Sequence, residues 1–206
     1  MGDQPEIRFA IGQAFRQLEA DKVIPWAFFS TGKMKPLEDF YGRTVHYSGV
    51  AFEGSPRLVF WQGFIQPFLE ALFVWGLDMA LFHCARSGTD RMEAVKIAHR
   101  ALSDGIYSVF QRMQDIDRRL RGSGFPDTVT RRDVADEIRQ MHAKLDVYYE
   151  SAKEAIQNST QGAEVPGLAD AFEFKPGISG ISVDLRKVWQ WFRRKTGMGT
   201  PTNRCP

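Results

Sequence analysis

Residues 90–121 read DRMEAVKIAHRALSDGIYSVFQRMQDIDRRLR, and residues 134–158 read VADEIRQMHAKLDVYYESAKEAIQN. In the first run Met92, Val95, Ala98, Leu102, Ile106, Val109, Met113, Ile116 and Leu120 step by threes and fours; in the second Val134, Ile138, Met141, Leu145, Tyr148, Ala152 and Ala155 do the same. Steps of that size gather apolar side chains into one stripe along an α-helix. Between the runs, Gly122, Gly124 and Pro126 punctuate the stretch from Gly122 to Asp127, which reads as a turn. Two stripes of matching length joined by a turn predict an antiparallel helical hairpin, in effect an antiparallel coiled coil, from about Asp90 to Asn158. The charges at the joined ends agree. Arg118, Arg119 and Arg121 sit where the first helix exposes carbonyls, Asp133, Asp136 and Glu137 sit where the second exposes amides, and Thr130 is placed to cap it.

Such a hairpin cannot bury its stripes alone, so a third apolar surface is required. Upstream, Ser55 or Pro56 opens a helical region that runs to Arg86, with Pro67 kinking or dividing it. Its second piece, Pro67 to Ala85, is apolar nearly all round, the composition of a helix at the centre of a core. The wider stretch from Leu58 to Cys84 is long enough to span a bilayer, but Gln62, Gln66, Glu70 and Asp78 interrupt it, which favours a core helix over a spanning one. Ser87-Gly88-Thr89-Asp90 supplies a glycine stop and then a Thr or Asp N-cap for the hairpin.

Farther out, Ile7, Ala10, Ile11, Ala14, Phe15 and Leu18 predict a first helix from Pro5 to Lys22, stopping near Pro25. From Trp26 to Pro56 no helical period persists, and Thr44–Tyr47 followed by Val50–Phe52 is the expected place of a small β-hairpin. Irregular segments of this length in a domain are more often functional or mobile than idle. Downstream, Gln157 to Pro166 is polar, Phe172 to Pro176 is suited to extended chain, and Gly177 to Gly180 reads as a joint. Ser182 or Asp184 caps a short last helix to Thr196, and Gly197 to Pro206 is expected to be disordered. The fold class is therefore mainly α: a helical bundle built on a long antiparallel hairpin, with residues 1–175 as the helical domain and 176–206 as a basic aromatic helix and tail.

The chain of 206 residues carries a net charge of only +2, too little to argue for a nucleic-acid partner, but the charge is uneven. Residues 176–206 hold six cations against Asp184 alone, a net of +5, and the remainder carries −3. Within that segment Leu185, Val188, Trp189 and Phe192 share one helical face, Trp191 flanks it, and Arg186, Lys187, Arg193, Arg194 and Lys195 crowd the rest. This is the composition of a helix that docks into a partner groove or lies on an anionic membrane surface. A helix laid on the protein's own core fits the same residues. Aromatic side chains gather here and between Trp26 and Phe82.

Catalytic templates are missing: the sequence has no G-x-S-x-G, no Walker loop, no G-x-G-x-x-G and no H-E-x-x-H. Glu70 and Asp78 are the residues with chemical potential, because a carboxylate in an apolar helix must be paired, hydrogen-bonded or neutral. With His83 or His46 they would make an acid/base set in a pocket between helix 67–85 and loop 26–56; otherwise each tethers a neighbouring element. His142, Asp146 and Glu150 form a ligand-like row at i, i+4 and i+8, and the interleaved Arg139, Lys144 and Lys153 read instead as a solvated flank. No metal and no cofactor is expected. Cys84 and Cys205 have neither metal-site spacing nor disulfide density, and no export signal is read at Met1–Glu6, so a cytoplasmic setting, peripheral to the membrane where the tail docks, is the expectation.

The reading that follows is a helical interaction protein that binds a protein partner or self-associates as a homo-oligomer, its basic aromatic segment docking to that partner or to an anionic membrane. An enzyme or small-molecule binder using Glu70 and Asp78 is the alternative.

Overall fold

The structure, a computed structural model, describes residues 5–28, 35–39, 43–48, 55, 59–87, 90–121 and 134–159. They form four helices, α1 (Pro5–Leu18), α2 (Gln66–Ser87), α3 (Arg91–Arg121) and α4 (Ala135–Ser159), and a two-stranded antiparallel sheet of β1 (Lys35–Glu38) and β2 (Thr44–Tyr47). The expected turn at Gly122 to Asp127, the Thr130 cap and everything after Ser159 lie outside the described residues.

The hairpin stands where its two stripes place it. Val95, Ala98, Leu102, Ile106, Val109, Met113 and Ile116 are buried on α3; Met141, Leu145, Tyr148 and Ala152 are buried on α4, and Val134 is buried just ahead of it. His99 meets Asp146 and Ser103 meets His142, so position rises along α3 as it falls along α4, and the helices run antiparallel. Asp90 is the N-cap of α3, its carboxylate accepting the Glu93 N–H at 2.8 Å. The first bond of α4 runs from the Ile138 N–H to the Val134 carbonyl.

Helix α2 fills the groove behind the hairpin and packs on both of its helices. Phe68, Leu69, Leu72, Phe73, Val74, Trp75 and Leu77 are all buried, which a helix with no polar face requires. Trp61–Cys84 is, among the described residues, the one helix long and apolar enough to cross a membrane, yet it lies mostly inside the fold. It is antiparallel to α3: the Trp61 ring meets Phe110 at one end, Gly76 faces Leu102 midway, and the Cys84 thiol reaches the Asp90 carbonyl at the other. α1 runs antiparallel to α2, with Glu6 beside His83 and the Lys22 ammonium over the Phe68 ring. The helices therefore alternate in direction, and α1 and α4 each rest on both α2 and α3.

Two prolines shape the helix ends by one device. The first helix ends near Pro25 as expected, but through a change of winding: after Leu18 it widens into a π turn, Glu19–Val23, in which the Ile24 N–H reaches back to the Glu19 carbonyl, and Pro25 follows within a 3-10 turn, Ile24–Phe28. Likewise the second helical region is not divided at Pro67. A π turn, Trp61–Ile65, lets the Gln66 N–H bond the Trp61 carbonyl, and Pro67 then enters α2 without meeting a tight preceding turn. A proline ring clashes with the carbonyl four residues earlier in a regular helix, and a wider turn just before it relieves that clash.

The small sheet differs in partner from the expected one. β2 lies at Thr44–Tyr47 as expected, but it pairs with Lys35–Glu38 upstream, in the register Lys35 with Tyr47 and Glu38 with Thr44; residues 50–52 lie outside the described set. Asp39 and Arg43 continue the ladder and close it: the Asp39 N–H donates to the Arg43 carbonyl, and the buried Asp39 carboxylate accepts both the Arg43 N–H and its Nε–H at 2.8 Å. Such local carboxylate-to-backbone closure is not visible as an apolar alternation, which is why Lys35–Glu38, with a proline inside it, escaped the sequence pattern. Tyr47 ties the hairpin to the core through an aromatic chain, Tyr47 to Phe60 and Phe60 to both Trp26 and Phe64.

Candidate functional site

Glu70 is buried on α2, and what it faces is Lys144 of α4. Its carboxylate takes the Lys144 ammonium and the Gln66 side-chain N–H, and the buried Tyr148 phenol stands close enough that Glu70 adds to the rise in its pKa that burial begins. The arrangement is that of a tether between α2 and α4, with a lysine as the partner. Removing one partner leaves a buried charge short of a hydrogen bond, softened here because the Lys144 side chain is 37% exposed. Lys144→Met is expected to cost about 1–2 kcal/mol in urea denaturation, and Glu70→Leu with Lys144→Met together to return to within about 1 kcal/mol of the parent.

The other candidate catalytic residues are spread out. Asp78 is half-buried farther along α2. His83 lies thirteen residues beyond Glu70, about 20 Å along the helix, where its Nε2 pairs with Glu6 of α1 at 2.7 Å. His46 is exposed on β2. Burial, with the nearby Asp90 charge, pushes the Cys84 thiol up from its ordinary value, the state of a resting core thiol.

The structure instead brings titratable groups together along the α3/α4 seam, on both sides of the row read from the sequence. His142 Nδ1 lies 3.3 Å from Ser103 Oγ, and its ring is 4.9 Å from that of Tyr107. One turn farther, His99 Nε2 pairs with Asp146 at 2.8 Å while the His99 ring packs on Tyr149 at 4.4 Å. Beyond that, Lys153 lies over Tyr149 and is bonded to Glu150, which holds its ammonium above its ordinary pKa. Burial lowers the pKa of His142; Asp146 opposes the shift and His99 adds to it. The row His142, Asp146, Glu150 is thus half of a seam whose other half, His99, Ser103 and Tyr107, belongs to the facing helix. Among the described residues Ser103 and His142 are not completed into a nucleophilic set: the His142 Nε2 has no hydrogen-bond partner, and Asp146 bonds His99. Among the described residues no group of three or more His, Cys, Asp or Glu is placed to hold a metal ion.

Sequence reasoning missed His99, Ser103 and Tyr107 as partners of that row. The signal was present in the antiparallel register, which pairs position 99 with 146 and 103 with 142 once the two stripes are aligned. The residues of the basic aromatic segment, Leu185 to Lys195, lie outside the described residues. No family model, no curated protein and no solved structure matches this chain.

Proposed function

We propose that this protein is a helical interaction protein that docks reversibly to an anionic membrane surface through its basic aromatic segment. The observation that carries the reading is the concentration of charge: +5 in residues 176–206 on a body of −3, with Trp189, Trp191 and Phe192 set among Arg186, Lys187, Arg193, Arg194 and Lys195. Near an anionic leaflet each cation contributes roughly 1 kcal/mol, so the five cations of 186–195 together supply about 5 kcal/mol, and inserted aromatic rings add to it. That sum fits adsorption that salt reverses rather than a permanent anchor.

The replacement Trp189→Ala with Trp191→Ala tests it. Binding of the full chain to vesicles of mixed phosphatidylcholine and phosphatidylserine is expected to weaken at least tenfold, with helix content unchanged by circular dichroism. Binding equal to that of the parent would remove the aromatic docking element from the account.

A further inference from the structure

Among the described residues, the α3/α4 seam holds a buried polar atom with no hydrogen-bond partner. His142 is partly exposed as a residue, but its Nε2 is buried and has no hydrogen-bond partner among the described residues, while Nδ1 is engaged with Ser103. A neutral imidazole tolerates this placement in the tautomer whose Nδ1–H donates to the Ser103 hydroxyl, because Nε2 then carries only a lone pair. An imidazolium does not. Both nitrogens then carry N–H groups, and the Nε2–H of a cation is left in the interior with nothing to accept it.

Among the described residues the neighbours do not supply the missing acceptor. From α3 the groups facing His142 are His99, Ser103 and the Tyr107 phenol; from α4 itself the nearest charge is Asp146. Asp146 is already held by His99 at 2.8 Å, so one carboxylate stands between two imidazoles. A proton added to His142 therefore finds that carboxylate already engaged. On the side of α4 that turns to α2, Glu70 is occupied by Lys144.

We propose that the α3/α4 seam is a proton-operated latch, in which protonation of His142 releases α4 from α3 and uncovers the face of the apolar helix α2 that α4 covers. The sign of the effect follows from linkage. The folded protein holds His142 below the ordinary value of 6.5, so the released state binds the proton more tightly. The latch is fully closed above pH 6.5 and loosens as pH falls from there toward the folded value. One proton limits the change to about tenfold in the opening equilibrium for each pH unit. This inference does not depend on residues 176–206, since every group in it belongs to α2, α3 or α4.

Hydrogen exchange of the full chain, followed by mass spectrometry at pH 7.5 and 5.5 and expressed as protection relative to the intrinsic rate at each pH, tests the latch. Protection in α4 is expected to fall several-fold at pH 5.5 while α1 keeps its own, and the fluorescence of an apolar dye is expected to rise over the same interval. His142→Gln, which keeps a hydrogen bond to Ser103 and does not titrate, is expected to abolish both changes. His99→Gln frees Asp146 to stabilise a charged His142 in place, and is expected to reduce them. The proposal is overturned by α4 protection that does not change, by α1 and α4 losing protection together, by a fall that survives in His142→Gln, or by exchange in α4 without dye binding.

Discussion

Gly105→Ala is expected to destabilise the protein by about 2–3 kcal/mol, although alanine is the better helix former. In an open helix the same change would stabilise by about 1 kcal/mol, so the sign of the result is the test. Gly105 sits in the middle of α3 where α1 crosses it, and a Cβ there would lie 2.1 Å from Cε2, 2.3 Å from Cζ and 2.4 Å from Cδ2 of Phe15. Real carbon atoms do not approach so closely, and Phe15 is itself buried, so its ring has no open side to move toward. Phe15→Leu removes those ring edges, and the double variant is expected to be more stable than Gly105→Ala alone. Urea denaturation of the three proteins measures all of this.

Leu102→Ala is expected to cost about 2–5 kcal/mol, because Leu102 is fully buried between α3 and α2 and its loss leaves a cavity. The cost should depend on Gly76, which faces it: a Cβ at position 76 would lie 3.1 Å and 3.2 Å from the two Leu102 methyl carbons. Alone, Gly76→Ala gains helix propensity and loses a little in crowding, so a change within about 1 kcal/mol is expected. Introduced beside Leu102→Ala, the same methyl group enters the vacated space. The two substitutions are therefore expected to be non-additive by about 1 kcal/mol in the stabilising direction. Strict additivity would mean that α2 and α3 do not meet at this point.

The helices were legible because their signal is periodic. The stripes from Met92 to Leu120 and from Val134 to Ala155 each repeat at helical spacing, and their joint requirement for a third surface pointed to Pro67–Ala85, which the structure places behind both. Asp90 was legible as a cap because its side chain acts on its own helix. Gly105 and Phe15 were not. A glycine in a helical run looks like a simple weakness until the crossing of another helix gives its missing side chain a purpose, and no local pattern encodes that crossing. Pro25 and Pro67 marked where the winding changes but not how: each forbids a regular turn, and the chain places a wider turn ahead of it.

Of the candidate site, the carboxylate in the apolar helix was legible and its partner was not. Glu70 had to be compensated, which burial alone dictates, whereas Lys144 lies 74 positions away and reaches it only because α4 lies along α2. The seam was half legible. His142 and Asp146 share a face of one helix at a spacing that any helix enforces, while His99 and Ser103 join them through a register that depends on how the two helices slide against each other.

The central functional claim is that residues 176–206 carry the docking activity, and co-sedimentation with vesicles tests it most directly. The full chain and a version ending at Lys175, first shown by circular dichroism to retain the helical body, are compared on neutral phosphatidylcholine vesicles and on vesicles containing phosphatidylserine. The expected result is that only the full chain sediments, only with the anionic vesicles, and less so as salt is raised from 50 to about 500 mM, where screening shortens the reach of each charge. Binding by both versions, or by neither, would contradict the claim.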